Sequence, residues 1–229
     1  MNTGVESLAE LPLSALQNSA IFKNKGKIIL TYEYEKLALN DGFKTVCGID
    51  EAGRGPLAGP VFAAAVILPM DFEIEGLNDS KKLTQKKREQ LFDIIVENAV
   101  SYSIATATEM EIDEINILKA TFLAMNRAVD GLEVSPDIAL IDGNQKPGLK
   151  IEERTMIKGD AKSVSIAAAS ILAKVSRDRY MIELSKIYPQ YFFEKHKGYG
   201  TKLHYEMLEQ HGISQVHRRT FLKKLLERE

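Results

Sequence analysis

The chain has a single cysteine, no tryptophan and no strong excess of either charge. Cys47 alone cannot form an internal disulfide or a cysteine-rich zinc site, so we expect a reducing, cytoplasmic environment. No apolar run approaches the roughly 20 residues that span a membrane. The N-terminus carries Glu6 and Glu10 and lacks the basic start of a secretory signal. The sequence therefore predicts no membrane partner, and a formal net charge of −2 does not by itself indicate a nucleic-acid-binding protein.

The chain has enough apolar residues for one domain with a real core. Its 229 residues are 45% hydrophobic, which suits a single domain with an addition. A change in composition divides it into a helical N-terminal appendage over residues 1–44 and a catalytic domain over 45–229. Basic residues cluster near 81–88, 195–204 and 218–224. Such local patches are compatible with phosphate contacts on a nearly neutral protein.

Strand and helix patterns alternate along the catalytic domain. Strands are predicted at 45–51, 61–68, 100–107 and 137–141. Helices are predicted at 28–39, 84–98, 116–130, 163–186, 201–211 and 217–227. This order predicts an α/β domain with a mixed central sheet, flanking helices and a C-terminal helical region.

The most informative segment places two adjacent acids, Asp50 and Glu51, at the end of an apolar run. They are followed by Gly53, Arg54 and Gly55. A dinucleotide-binding turn needs G-x-G-x-x-G opening a helix, whereas here prolines follow and the next segment has the pattern of a strand. Taken alone, the segment leaves open a tight turn with solvated acids and a metal site next to a phosphate.

Two further acids also lie at the ends of predicted elements. Asp142 ends the apolar run 138–141, and Asp160 stands just before the apolar helix predicted at 163–186. A mixed sheet can gather such positions at one edge. Clustered carboxylates repel unless cations neutralise them, and Mg²⁺ and Mn²⁺ prefer oxygen ligands. The histidines are all C-terminal, and none has the H-E-x-x-H spacing of a zinc helix.

Five blocks, in order, carry a resemblance to bacterial ribonuclease HII over about residues 46–221. They are GIDEAGRGPLAGPVFAAAVIL (48–68), NDSKKLT (78–84), IDGN (141–144), KGDAKSVSIAAASILAKVSRDRYM (158–181) and HKGYGTKLH (196–204). The resemblance implies the ribonuclease H fold and a metal-dependent endoribonuclease. Such an enzyme cuts the RNA strand of RNA–DNA hybrids and nicks duplex DNA 5′ to an embedded ribonucleotide. It leaves 3′-hydroxyl and 5′-phosphate ends, a chemistry used in ribonucleotide excision repair.

The resemblance also implies roles for individual residues. Asp50 would bridge two divalent ions, Mg²⁺ or Mn²⁺, with Glu51 and Asp142 completing one site and Asp160 the other. Gly53, Arg54 and Gly55 would contact the ribose 2′-hydroxyl through their backbone, and Tyr199 would pack on the sugar at the RNA–DNA junction. By family position, Ser80 and Lys81 would contact phosphate.

Alternatives to this interpretation follow from the same motifs. Ribonuclease HIII typically has Gly-Thr-Gly in place of Gly-Arg-Gly and carries a larger N-terminal domain, so type II fits better. A catalytically inactive RNA–DNA junction-binding module would most easily arise by loss of one acid, and all four are present. A further alternative, another nuclease or recombinase of the same broad fold, would lack the Gly-Arg-Gly and Tyr199. We expect a monomer without an obligate protein partner.

Overall fold

The computed structural model describes residues 30–78, 80–223 and 227, and gives the backbone alone at 23–24, 27–28 and 82. Within those residues, none of the helices has both the length and the apolar character needed to cross a bilayer. Most of the predicted N-terminal appendage, over residues 1–22, 25–26 and 29, lies outside the described residues.

A five-stranded mixed sheet forms the centre of the fold, in the order β5-β4-β3-β6-β7. Strands β3, β4 and β5 form an antiparallel meander, whereas β6 runs parallel to β3 and β7 parallel to β6. The predicted α/β class with a mixed sheet is confirmed. The strands are β3 (Val46–Ala52), β4 (Val61–Ile67), β5 (Ser101–Ala107), β6 (Ile138–Asp142) and β7 (Glu152–Met156), with a separate two-stranded pair of β1 (Lys23–Asn24) and β2 (Lys27–Ile28).

Helices cover both faces of the sheet. They are α1 (Glu33–Asn40), α2 (Gln85–Asn98), α3 (Glu109–Asp130), α4 (Val164–Ile187), α5 (Phe193–His196) and α6 (Lys202–His211). Buried residues of α3 pack with side chains from one face, and α2 and α4 form a second cluster on the other. A third apolar cluster joins α4, α5, α6 and the C-terminal segment. Cys47 is fully buried in the first cluster, as expected of a small apolar side chain.

Strand β3 and helix α4 are in unusually close contact at Gly48. A Cβ atom built there would lie 2.1 Å from the carbonyl carbon of Ser165. The first turns of α4 are rich in buried alanine and serine, which lets the helix lie directly on the strand. This contact places the beginning of α4 beside the strand that carries Asp50.

Most predicted elements are confirmed within two residues, but three predicted helices were wrong in part and one strand was missed. The 116–130 helix begins at Glu109, because Thr108 and Glu111 form a capping box, and Asn116 interrupts it with a φ of 69°. The 28–39 helix begins only at Glu33, since Thr31 forms a bridge with Ser163. Strand β7 was not predicted; its sequence, EERTM, is polar because it lies at the edge of the sheet.

The predicted 217–227 helix is also wrong over residues 217–222. His217 forms an isolated antiparallel bridge with Ala58, and Arg219–Phe221 is a 3₁₀ turn. Residues 224–226 and 228–229 of this region lie outside the described residues. The C-terminal segment is therefore a strap across the β3–β4 hairpin at this point.

Glu35 of α1 is buried at the N-terminus of α4. Its Oε1 atom accepts hydrogen bonds from the Ser163 hydroxyl at 2.6 Å and from the Ser165 amide at 2.9 Å. Its Oε2 atom has no hydrogen-bond partner among the described residues. Burial raises the pKa of Glu35 above its ordinary value, and the two hydrogen bonds only partly oppose that effect. The folded state therefore favours the protonated form of Glu35 more than the unfolded chain does.

We expect Glu35→Gln to change stability in a pH-dependent way. A carboxyl whose folded pKa is raised holds its proton in the folded state after the unfolded chain has lost it. Wild-type stability therefore falls as pH rises above the unfolded value near 4.5, up to the raised folded pKa. The variant has no carboxyl at this position, so it lacks this pH-dependent loss of stability. The melting temperature of the variant minus that of wild type should therefore increase from pH 4.5 to pH 8. Glu33→Gln, on the same helix, is the control, and a pH-independent difference for Glu35→Gln would contradict the prediction.

Candidate active site

Three carboxylates converge at one edge of the sheet. Asp50 lies in β3 and Asp142 ends the parallel neighbour β6, one position beyond the paired residues Ile49 and Ile141. Asp160 lies on a 3₁₀ turn immediately before α4. One oxygen from each of these three side chains lies within 4.8 Å of the others. The sequence prediction that these strand and helix ends would meet is therefore confirmed for the three aspartates.

The charges in this cluster are costly without a cation. Asp50 is only 5% exposed, and burial, followed by repulsion from Glu51 and Asp142, holds the pKa of Asp50 well above its ordinary value. Backbone amides offset part of the charge: Glu51 donates to Asp50 Oδ1, and Gly159 donates to Asp142 Oδ1, each at 2.7 Å. A close, all-oxygen donor set of this kind suits a hard divalent cation.

Glu51 lies beside the cluster but is not one of its three members. Its Oε1 atom is 3.5 Å from Arg54 NH1, and its side chain is partly exposed. Burial raises the pKa of Glu51, and the neighbouring Arg54 opposes the rise. Asp142 also raises that pKa by repulsion, so Glu51 interacts electrostatically with the aspartate cluster.

The turn Ser80–Lys82 borders the cluster on another side. The Ser80 hydroxyl is buried, 2.7 Å from that of Ser170. Ser170 in turn hydrogen-bonds to Asp50, which lowers the Asp50 pKa slightly against the larger effects. The Lys81 ammonium is 3.8 Å from Asp160 Oδ2 on a largely exposed side chain. The structure thus places the exposed Lys81 ammonium at the rim of the cluster and the Ser80–Ser170 hydroxyl pair below the surface.

The glycine loop, residues 53–60, connects β3 to β4 beside the acids. Gly53 has a φ of +98°, and a Cβ there would lie 2.1 Å from the Nε atom of Arg177. Arg54 and Gly55 are exposed, and within the described residues neither amide donates a hydrogen bond. Tyr199 is 43% exposed, and a Cβ built on Gly55 would be 3.8 Å from its ring. The loop and Tyr199 therefore form one continuous surface.

Two buried arginines that the sequence analysis did not single out hold this loop. Arg177, in α4, donates to the carbonyls of Pro60, Ala58 and Lys197 at 3.0–3.2 Å. Arg218, in the C-terminal strap, donates to the carbonyls of Gly53, Arg54 and Gly59 at 2.6–3.0 Å. Helical spacing is the signal that could have indicated Arg177, since it lies four residues after Ala173 and four before Met181, on the buried face of α4.

A chain of buried histidines supports the turn that carries Tyr199. The Tyr199 carbonyl can only accept, so His204 Nδ1 carries the proton of that 3.0 Å bond. His217 Nδ1 accepts from the Ser214 amide, which leaves its Nε2–H to donate to His204 Nε2 at 3.1 Å. Burial lowers the pKa values of His204 and His217 to about 4. These rings are therefore neutral at pH 7 and serve as hydrogen-bond links.

Comparison with known families decides the assignment. The sequence model of the family described as "Ribonuclease HII" matches residues 47–224. The chain belongs to the ribonuclease HII family. A ribonuclease HII from Caldicellulosiruptor bescii is 57% identical over 195 residues, covering 85% of this chain and 95% of that protein. One from Clostridioides difficile is 50% identical over 211 residues, covering 92% and 78%.

A solved structure gives the same result at the level of the fold. Ribonuclease H2 from Pyrococcus horikoshii superposes with a TM-score of 0.68 at 31% identity, covering 81% of this chain and 98% of that one. The chain is thus a metal-dependent type II ribonuclease H, an endoribonuclease that degrades RNA in RNA–DNA hybrids. The alternative of an inactive binding module has no support.

Proposed function

We propose that this ribonuclease HII cuts the RNA strand of hybrids and also nicks duplex DNA 5′ to a single embedded ribonucleotide. The products are a 3′-hydroxyl and a 5′-phosphate. The observation that carries the proposal is the cluster of three aspartates beside a loop with two amides that donate no hydrogen bond within the described part of the chain. The acids suit a metal-assisted attack on phosphate, and the amides suit recognition of a hydroxyl.

Asp50, Asp142 and Asp160, together with Glu51, are the residues that would hold two divalent ions, Mg²⁺ or Mn²⁺. Asp50 interacts electrostatically with two of the other acids, since Glu51 and Asp142 both raise its pKa. Bound in pairs, such ions supply activation of water and stabilisation of the leaving oxygen. The protein's own contribution is to hold the carboxyl groups close together and largely shielded from water, where a divalent cation would favour their charged forms.

The glycine loop and Tyr199 are proposed to read the ribonucleotide. The 2′-hydroxyl is the group that distinguishes RNA from DNA at one position, and we propose that the backbone of Gly53, Arg54 and Gly55 contacts it. Tyr199 presents a half-exposed ring beside Gly55 for packing on the sugar.

Lys81 is proposed to contact a phosphate, a contact that positions the strand without reading its sequence. The Ser80 hydroxyl is bonded to Ser170, so we assign Ser80 to holding the turn that carries Lys81. We propose that the enzyme acts as a monomer. A nucleic-acid substrate and a single buried cysteine support a cytoplasmic location.

Cleavage of three matched duplexes tests the proposal. One is all DNA, one carries a single ribonucleotide, and one pairs a full RNA strand with DNA. We expect nicking 5′ to the lone ribonucleotide and cutting of the hybrid with Mg²⁺ or Mn²⁺, no cutting with chelator, and an intact all-DNA duplex. Product ends are identified by ligation and by labelling with polynucleotide kinase.

The outcomes separate the possible activities. Cutting of the long hybrid alone would contradict the single-ribonucleotide activity and would match type III behaviour. Tight binding with no cutting in either metal would contradict the catalytic role of the four acids.

A further inference from the structure

The amides of the glycine loop need a fixed direction if they are to bind a hydroxyl. Arg54 and Gly55 have exposed backbones whose amides donate no hydrogen bond among the described residues. Loop residues that lack such bonds usually lose orientation. Some other contact must therefore hold the two peptide groups.

Arg218 makes that contact from the opposite side of the loop. Its NH2 group donates to the Gly53 carbonyl at 2.6 Å, and its NH1 group donates to the Arg54 carbonyl at 3.0 Å. A trans peptide group is planar, with its carbonyl and the following amide pointing in opposite directions, and the described residues contain no cis peptide bond. Holding the carbonyls of Gly53 and Arg54 therefore aims the amides of Arg54 and Gly55 away from Arg218.

The guanidinium group is suited to this task. It is fully buried, and its Nε and NH2 groups also bind the Gly59 carbonyl at 2.9 and 2.7 Å. Arg218 thus joins both ends of the glycine loop in one rigid fork. A lysine retains the charge, but its donors are all on one nitrogen at the end of a flexible stem and do not form a planar fork, so it cannot hold both peptide planes.

We propose that Arg218 is a positioning residue that aims the amides of Arg54 and Gly55 at the ribose 2′-hydroxyl and thereby sets the selectivity for ribonucleotides. This inference rests on the proposed function of the glycine loop. It adds a residue about 160 positions away in the sequence that acts on selectivity without touching the substrate.

The test compares Arg218→Lys with Arg219→Lys, a control at the adjacent exposed arginine. Three quantities are measured: kcat/KM on the duplex with one ribonucleotide, the inhibition constant of the all-DNA duplex as a competitor, and the Mg²⁺ concentration for half-maximal rate. We expect Arg218→Lys to lower kcat/KM about tenfold, the effect of losing one well-placed hydrogen bond. We expect the inhibition constant to change less than about twofold, since phosphate contacts remain. The Mg²⁺ concentration for half-maximal rate should not change, because the acids are untouched.

A second variant distinguishes a lost orientation of the loop from a general loss of folding. Arg218→Ala leaves a cavity into which methylguanidinium can diffuse, and its addition should restore part of the lost kcat/KM on the ribonucleotide duplex only. An equal fall of cleavage and of DNA affinity would overturn the proposal, as would unfolding of both variants, because Arg218 would then serve stability alone. If the wild type prefers ribonucleotides and Arg218→Lys keeps that preference, this inference is wrong but the proposed function still holds. Absence of that preference in the wild type would overturn both.

Discussion

Asp142→Asn should lower kcat by more than about a hundredfold while leaving the fold intact. Loss of residues that merely orient metal ligands already costs about 10–100-fold in metal affinity or activity, and here a carboxylate of the cluster itself loses its charge. The fold should survive because the amide oxygen of asparagine can still accept the 2.7 Å hydrogen bond from Gly159. Single-turnover cleavage of a duplex with one ribonucleotide measures the effect.

The same variant should respond differently to metal in a melting experiment. Removing the Asp142 charge relieves repulsion on Asp50, whose pKa that charge raises, so the metal-free melting temperature should stay level or rise. The increase in melting temperature on adding Mn²⁺ should shrink, because at a fixed concentration a more weakly bound ligand stabilises the folded state less. Asp130→Asn is the control, since Asp130 is exposed and pairs with exposed Lys150. Wild-type turnover in Asp142→Asn would remove this residue from the active site.

Gly48→Ala should destabilise the protein by about 3 kcal/mol or more, at the upper end of the cost of overpacking a core. The added methyl group would lie 2.1 Å from the Ser165 carbonyl carbon and 2.5 Å from the Ile166 amide nitrogen. Both belong to the backbone of α4, so no side chain can rotate away. Either α4 moves off β3, which shifts the turn that carries Asp160, or the domain unfolds. Urea denaturation followed by circular dichroism measures the loss.

Gly55→Ala is the matched substitution, with the opposite expectation. Its φ is not positive, and the nearest atom to an added Cβ is Tyr199 Cε1 at 3.8 Å, an ordinary contact. We expect its stability to remain within about 0.5 kcal/mol of wild type. If Gly48→Ala were as stable as Gly55→Ala, the close contact between β3 and α4 would not exist in solution.

Local patterns were sufficient to predict the elements that carry the acids. Strands β3 and β6 are continuous apolar runs because both faces of the central sheet are covered by helices. Each run ends in an aspartate, so the positions of Asp50 and Asp142 followed from the ends of the strands. Asp160 followed in the same way from the polar turn before the apolar start of α4.

Elements stabilised by distant contacts could not be predicted in this way. Strand β7 has a polar sequence and exists through its ladder with β6. The segment from His217 to Leu222 has the composition of a helix end, but the tertiary structure uses it as a strap bound to Ala58 and Leu57. In both places, hydrogen bonds to residues distant in the sequence outweighed the local secondary-structure propensity.

The sequence by itself determined the chemistry of this ribonuclease HII: four acids at element ends, a glycine-rich loop beside them and an apolar core to support both. Only the tertiary structure decided what holds the loop. A buried arginine and a solvated one look the same in a sequence, and the carbonyls that bind Arg218 belong to the backbone and have no sequence signature. Burying a guanidinium requires that its donors all find acceptors. Those acceptors came together only when residues about 160 positions apart were folded into contact.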